Sequence, residues 1–345
     1  MDTSVALPFL IGLIVIALVF DFMNGLNDAA NSIATIVSTR VLAPKYAVCW
    51  AAFFNFIAFL FFGLSVAKTV GVGIIAPGVV DPHVILAALA GAIIWQGFTS
   101  LAGIPSSSSH ALIGGLVGAG IAKGGIGAVV WSGLFKTAGA IVLSPALGMM
   151  LALGLVLTVS WFFVRSTPLA VDGYFRICQF ASASALSLGH GGNDAQKTMG
   201  IITAVLTAGN IWGMHYGPDG SLPHIPIEVV LSAHAAIALG TLSGGWRIVR
   251  TMGTRITKLK PVGGFCAESA AALTLAYVTL TGTPVSTTHT ITGSIVGVGA
   301  TRRLSAVKWG VAGRIVWAWI LTIPAAAFVA AVSFWVVSYL HRLFS

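Results

Sequence analysis

Two short stretches hold the side chains that could do chemistry. Asn24-Gly25-Leu26-Asn27-Asp28-Ala29-Ala30-Asn31 carries one carboxylate and three side-chain amides, after a long apolar run interrupted only by Asp21. A near copy, His190-Gly191-Gly192-Asn193-Asp194-Ala195-Gln196-Lys197, returns 166 residues later and keeps the order Gly-x-Asn-Asp-Ala, with Asn193 on Asn27 and Asp194 on Asp28. Ionisable groups inside hydrocarbon are costly and mark ion or substrate pathways. Asp28 and Asp194 cannot attract an anion by themselves. They fit as ligands for a co-transported cation, or as acceptors for the protons of a protonated oxyanion. Asn27 and Asn193 can offer oxygen to a cation or nitrogen to an anion, and Asn24 and Asn31 extend the first set. The bland alternative is a pair of satisfied helix–helix contacts.

A second pair of stretches is built from hydroxyls. Pro105-Ser106-Ser107-Ser108-Ser109-His110 and Pro284-Val285-Ser286-Thr287-Thr288-His289 each lead into a Gly-rich run. A helix start exposes unpaired N–H groups and the positive end of the dipole, which makes it an anion site. Ser107, Ser108, Ser109, Ser286, Thr287 and Thr288 add neutral donors there without a fixed charge, so an anion held by them can leave again. Helix capping also uses Ser and Thr, but one hydroxyl suffices for a cap. His110 and His289 either orient these hydroxyls or are structural. Hydrogen phosphate keeps an O–H that can donate to a carboxylate, whereas sulfate at neutral pH does not. The chemistry therefore favours phosphate over sulfate as the substrate.

One position breaks the symmetry, because Asn31 is matched by Lys197. An ammonium at the second copy would take the place of a cation that Asn31 helps to hold at the first. That points to proton coupling or to fewer sodium sites. Glu268 joins Asp28, Asp194, Asn24, Asn31 and Lys197 as a coupling-ion candidate, and Asp21 is a further intramembrane carboxylate. Asp28 and Asp194 are also the metal-ligand candidates, if sodium or a metal–phosphate complex is carried.

The elements that must position these groups are membrane helices. Of 345 residues, 57% are hydrophobic and 8% charged, with mean hydropathy +0.96, against roughly a quarter charged in soluble proteins. Several runs approach the roughly 20 apolar residues of a spanning helix, and the in–out alternation of a β-barrel does not appear. Forty-one glycines point to close helix packing and broken helices. The net charge of +9 comes mostly from basic residues between apolar runs, a positive-inside pattern and not a nucleic-acid footprint. Cys49, Cys178 and Cys266 are scattered, with neither disulfide nor metal spacing. The N-terminus lacks a basic flank, so Ala6 to Phe22 is expected to remain as the first helix.

Taken in order, Val5–Phe22 leads into the first motif and Ile33–Thr39, then a basic turn at Arg40 and Lys45. Ala47–Ala67 reads as one span, and Val84–Ile104 runs into Pro105–His110 and Ala111–Ile121. Ile126–Phe163 is too long for one straight crossing, with Lys136 and Pro145 dividing an interfacial part from a span. After a basic turn at Arg165 and Arg176, broken by Pro168 and Gly173, the pattern restarts: Ile177–Leu188, the second motif, Met199–Ala208, then Val229–Gly244. Arg247 to Lys260 reads as a cytoplasmic loop, followed by Val262–Leu280, Pro284–His289, Thr290–Ala300 and Ile315–Tyr339. Pro105–Gly120 matches Pro284–Gly299 at an offset of 179, including His110 on His289 and Gly114 on Gly293. Basic residues flank both ends of the second such unit, whereas the first lies between poorly charged loops, as for hairpins entering from opposite sides. The expected fold is all-α and integral to the membrane. It has two inverted-topology repeats, residues 1–165 and 166–345, with broken helices and two re-entrant helical hairpins around a midplane site.

The Gly25–Asn31 and Gly192–Thr198 segments, with the paired Pro-Ser and Pro-Val-Ser-Thr-Thr-His hairpins, resemble the inorganic phosphate transporter (PiT) family over nearly the whole chain. The resemblance implies a cation-coupled phosphate symporter, not an enzyme, working by alternating access as a homodimer in a bacterial inner membrane. It places ion and phosphate ligands on Asn27, Asp28, Asn193, Asp194, Ser107–Ser109 and Ser286–Thr288. The Asp194-Ala195-Gln196-Lys197-Thr198 form looks like the proton-coupled bacterial branch, thought to carry phosphate as a neutral metal complex. Lys197 departs from the second Asn found in other members, which leaves sodium stoichiometry open. No cofactor is implied beyond the co-transported proton or sodium ion. The rival readings are a sulfate or other oxyanion symporter, a sodium-coupled phosphate symporter, a passive channel and, against the duplication, an intramembrane Ser/His/Asp hydrolase.

Overall fold

Proline sits in the first turn of four helices, at Pro44, Pro82, Pro168 and Pro261, where its missing N–H would have had no intrahelical acceptor anyway. Side-chain oxygens finish other starts: Asp81 accepts from the Val84 amide at 2.8 Å, and Ser107 and Ser286 cap the helices after the two hydroxyl runs. A computed structural model describes residues 7–217 and 221–344. Its helices are α1 (Leu7–Ser38), α2 (Pro44–Ile57), α3 (Ser65–Val72), α4 (Pro82–Ala102), α5 (Ser108–Gly124), α6 (Trp131–Phe162), α7 (Pro168–Ala208), α8 (Ile227–Ser243), α9 (Trp246–Arg250), α10 (Pro261–Leu280), α11 (Thr287–Arg302) and α12 (Trp309–Phe344). Val5 and Ala6, expected to open the first helix, lie outside the described residues. Among the described residues five helices are long and apolar enough to cross a membrane, α1, α4, α6, α10 and α12, or seven spans if the bent pairs α2–α3 and α8–α9 are each one.

Breaks in the helices occur, but not where the motifs are. The Asn24–Asn31 and His190–Lys197 segments run as unbroken α-helix inside α1 and α7. Their glycines serve close approach instead of unwinding. A Cβ on Gly25 would stand 2.1 Å from the Ile237 carbonyl oxygen, and one on Gly191 2.5 Å from that of Asn55. The bends fall between α2 and α3, by 88°, and between α8 and α9, by 64°. Gly244 (φ 64°) opens the second bend. The expected straight span Ala47–Ala67 is therefore folded over, and the Arg247 loop begins as helix.

Two other expectations change. Gly173 lies within α7, so the break is confined to Phe163–Thr167, before Pro168 opens the helix. Helix α6 passes through Pro145 as one helix. A proline frees the carbonyl four residues back, here Ile141, and His289 Nδ1 faces that oxygen at 3.5 Å.

The packing repeats itself. When α1–α6 are exchanged with α7–α12, the main helix contacts have counterparts: α1 packs on α8 and α7 on α2, α4–α5 on α12 and α10–α11 on α6. Glycine makes the last two seams. Cβ atoms on Gly114 and Gly118 would meet the Ile323 and Ala327 carbonyls at 2.5 and 2.0 Å, and on Gly293 and Gly297 those of Pro145 and Met149 at 2.2 and 2.6 Å. The motif helices cross antiparallel. Thr39 near the end of α1 meets Gln179 in the first third of α7 at 2.9 Å, while Gly209 just past α7 lies against Leu10. Helices α4 and α5 form a hairpin whose base is tied by Lys123 to Asp81 at 2.7 Å. Its tip meets the tip of the α10–α11 hairpin: Ser109 donates to the Val285 carbonyl at 2.9 Å, and the His110 and His289 rings stand edge to face at 4.3 Å.

Candidate functional site

Where α1 and α7 cross, both hairpin tips arrive. Asp28 and Asp194 are 2% and 0% exposed. Asp28 accepts from Ser108 of the first tip at 3.0 Å and from Thr288 of the second at 3.2 Å. Asp194 accepts from Thr287 at 3.1 Å. The contacts Asp28–Ser108 and Asp194–Thr287 are equivalent under the duplication, each carboxylate meeting the hairpin of its own half. These buried anions are thus solvated by hydroxyls that the sequence reading reserved for phosphate.

The two copies differ in their cations. Asn31 donates to Thr287 and Thr288 at 3.1 and 3.0 Å. Lys197, at the equivalent position, points its ammonium at Asp194 Oδ1, at Ser109 Oγ (2.5 Å) and at the Val285 carbonyl (3.0 Å). Its three N–H donors therefore meet three oxygens, and these come from both hairpins and from its own helix. Oxygen ligation of this kind is what a bound sodium ion would require.

His190 was legible only as part of the copied motif, at the position of Asn24. In the structure its Nε2 lies 3.3 Å from Asp194 and 3.9 Å from Asp28. Ligand atoms of Asp28, His190 and Asp194 fall within 4.8 Å of one another, a set able to hold a metal ion. Asn55, which the sequence did not single out, orients it. Asn55 Oδ1 meets His190 Nδ1 at 3.1 Å, its amide donates to Thr241 at 2.9 Å, and its carbonyl meets His234 Nδ1 at 2.9 Å.

Several polar atoms around this centre have no protein partner. They are the amide oxygens of Asn24, Asn27, Asn31 and Asn193 and both side-chain atoms of Gln96. Buried polar groups are nearly always satisfied, so these unpartnered oxygens fit ligands for a cation. The amide nitrogens are used: Asn27 to the Gln96 carbonyl at 3.4 Å, Asn193 to Thr279 at 2.9 Å, and Asn24 to Asp21 at 3.5 Å. Gln96 was visible in the sequence only as an interruption of an apolar run.

The remaining candidates are placed apart from the carboxylates. Ser107 and Ser286 accept the His110 and His289 amides at 3.3 and 3.2 Å and act as caps. The His110 and His289 rings do not touch the hydroxyls; they meet edge to face, and the His289 ring stacks on that of Trp319 with centroids 3.6 Å apart. Glu268 stands away from the centre, accepting from Gln179 at 2.8 Å and Ser182 at 2.5 Å.

Comparison with known proteins agrees with this geometry. The model of the phosphate transporter family matches residues 24–330. A Rhizobium meliloti protein named "Probable low-affinity inorganic phosphate transporter" is 65% identical, over 97% of this chain and 98% of its own. A Bacillus subtilis protein of the same name is 41% identical, over 98% and 99%. A solved structure titled "The sodium-dependent phosphate transporter" superposes with a TM-score of 0.87 at 26% identity, covering 96% of this chain and all of that one.

Proposed function

This chain belongs to the phosphate transporter family, a family of transporters and not enzymes, and from that premise we propose that it imports inorganic phosphate by alternating access, coupled to a cation. The observation that carries the coupling is the double use of the tip hydroxyls. Ser108, Thr287 and Thr288 now donate to Asp28 and Asp194, and each hydroxyl has one hydrogen to give. Phosphate can take those hydrogens only if the carboxylates are compensated some other way. Leaving one buried and unpaired costs several kcal/mol, on the order of 3–5. A proton or metal cation arriving at Asp28, His190 and Asp194 supplies the compensation. Anion and cation therefore bind together.

The phosphate ligands in this reading are Ser107, Ser108, Ser109, Ser286, Thr287 and Thr288, with Asn27 and Asn193. Ser107 and Ser286 contribute by capping the two helix starts. The cation ligands are Asp28, Asp194 and His190, with Asn24 and Asn31. Lys197 occupies the second cation place permanently, which supports a proton as the mobile ion and leaves fewer sodium sites. Metal–phosphate carriage would use the same Asp28–Asp194 pair. Equivalent helices running antiparallel, and hairpins meeting tip to tip, support inverted repeats of residues 1–165 and 166–345 and re-entrant hairpins entering from opposite faces. The protein is multi-pass, by its helices and family, and we place it in the bacterial inner membrane as a homodimer. Sulfate is the rival substrate, and it lacks the proton that would meet a carboxylate.

The test is radiolabelled phosphate uptake into proteoliposomes under separately imposed proton and sodium gradients, with excess sulfate as competitor. Uphill uptake driven by protons alone and unaffected by sulfate is the expected result. Dependence on sodium would overturn proton coupling, and sulfate accumulation in place of phosphate would overturn the substrate.

A further inference from the structure

Glu268 is fully buried on α10 and lies outside the central site. Its oxygens accept from the Gln179 amide at 2.8 Å and the Ser182 hydroxyl at 2.5 Å. Gln179 in turn accepts from Thr39 at 2.9 Å. Among the described residues no Lys, Arg or His comes within ion-pair distance of Glu268 from α1, α3, α6, α7 or α11, the helices packed on α10. These neutral donors help to hold the carboxylate, but no cation offsets its charge and an unpaired charge buried there is costly, so the group is poised to take up a proton.

The duplicated half provides an internal control. Under the two offsets, Glu268 corresponds to Leu89, Gln179 to Leu13, Ser182 to Ile16, Thr35 to Ile201 and Thr39 to Val205. All five counterparts belong to, or pack against, one hydrophobic cluster. The fold therefore fills these positions with hydrocarbon when nothing else is asked of them. In the other half, every one of them is polar.

Position along α1 gives the polar set a direction. Asp28, Asn31, Thr35 and Thr39 recur at helical spacing on one buried face, with neighbours one turn apart at about 5–6 Å between Cβ atoms. The stripe begins at the central carboxylate and ends beside Arg40, whose carbonyl accepts from Arg176 at 3.1 Å at the exposed end. On α7 the same register beyond Lys197 reads Ile201 and Val205 and is sealed by Leu13 and Leu89.

We propose that Glu268 is a proton-binding site on a one-sided polar route between the central carboxylates and the basic face of the protein. Resting on the phosphate-transport reading, this deepens it by giving the coupled proton its exit. One O–H bond forms at Glu268 as the proton leaves the central site, and it breaks as the proton passes to water at the Arg40 end. No other reactant is needed. The opposite half has no such route, so the path is built on one face only.

The experiment uses proteoliposomes carrying an internal pH-sensitive dye, with radiolabelled phosphate followed in parallel. Glu268→Gln keeps hydrogen bonds to Ser182 and Gln179 but cannot release a proton. It is expected to retain phosphate–phosphate exchange while losing the internal acidification that accompanies net uptake. Glu268→Leu, which copies Leu89, is expected to fold with an unchanged melting temperature or a higher one and to show the same split. Acidification per phosphate at the wild-type ratio in either variant would overturn the proposal, as would a Glu268→Gln variant that loses exchange along with net uptake. Wild-type phosphate uptake without any proton movement would also overturn it. A wild-type protein that takes up no phosphate at all would instead sink the transport reading beneath it.

Discussion

Helices α1 and α7 carry the same motif and solve the same problem in different ways. Asp28 is held by neutral groups, Ser108 and Thr288, with His190 at 3.9 Å. Asp194 is held by an ammonium three residues on in its own helix, with His190 closer, at 3.3 Å. The scaffold is symmetric and the electrostatics are not. One carboxylate is left to respond to what binds, while the other carries its own counter-ion. On the proposed reading, the transporter keeps its packing by repetition and differs in its ion coupling through one pair of positions, Asn31 and Lys197.

The sharpest way to break that comparison is to neutralise each acid in turn. Asp28→Asn should reduce phosphate uptake to background with little change in melting temperature, because its neighbours are neutral hydroxyls. Asp194→Asn should lose uptake and stability together, since Lys197 then stands buried without a carboxylate, at a cost of about 3–5 kcal/mol. The double variant Asp194→Asn with Lys197→Met should recover most of that stability and none of the uptake. Equal melting temperatures for the two single variants would remove the distinction. Next comes Lys197→Asn, which writes the first copy into the second. Uptake measured across a sodium series should become sodium-stimulated by several-fold, and a flat series would show that the ammonium is not standing in for a cation.

Smaller effects test the symmetric part. Gly118→Ala places a methyl group against the Ala327 carbonyl, 2.0 Å from the ideal Cβ, and Gly297→Ala does the same at 2.6 Å from Met149. Both should destabilise by about 1–3 kcal/mol, with Gly118 the more sensitive in thermal unfolding. Equal tolerance to larger side chains would mean that these seams are loose. Least of all, Lys123→Met breaks a bridge to Asp81 whose side chains are both about a third exposed. Solvent screening limits its worth to less than about 1 kcal/mol, and uptake should not change.

Much of this arrangement is legible in the sequence, because duplication marks it. The Asn-Asp motifs and the Pro-Ser hairpins are recognisable as pairs, and the structure brings both pairs to one place. What escaped has physical reasons. Glycine in a motif reads as loosening, yet Gly25 and Gly191 admit a neighbouring backbone and leave the helix intact. Pro145 reads as a divider, yet the carbonyl it frees is met by His289 from another helix. Asn55, Gln96 and His190 matter through partners distant in the chain, so no local pattern announces them. The bends at Phe61–Leu64 and Gly244-Gly245 occur in runs apolar enough to pass for straight spans.

The crossed packing of α6 and α12 has a consequence for how the chain is assembled. Helix α6 closes the first half in sequence but lies on the α10–α11 hairpin, and α12 lies on α4–α5. When Phe162 leaves the ribosome, the surface that α6 will cover has not been made, and Pro261 is still about a hundred residues away. At about 5–20 residues per second of synthesis, that helix waits on the order of ten seconds in the bilayer with its glycine-matched face against lipid. Neither half can mature alone. Two fragments divided near residue 165 should be degraded when made singly and should rescue each other when made together.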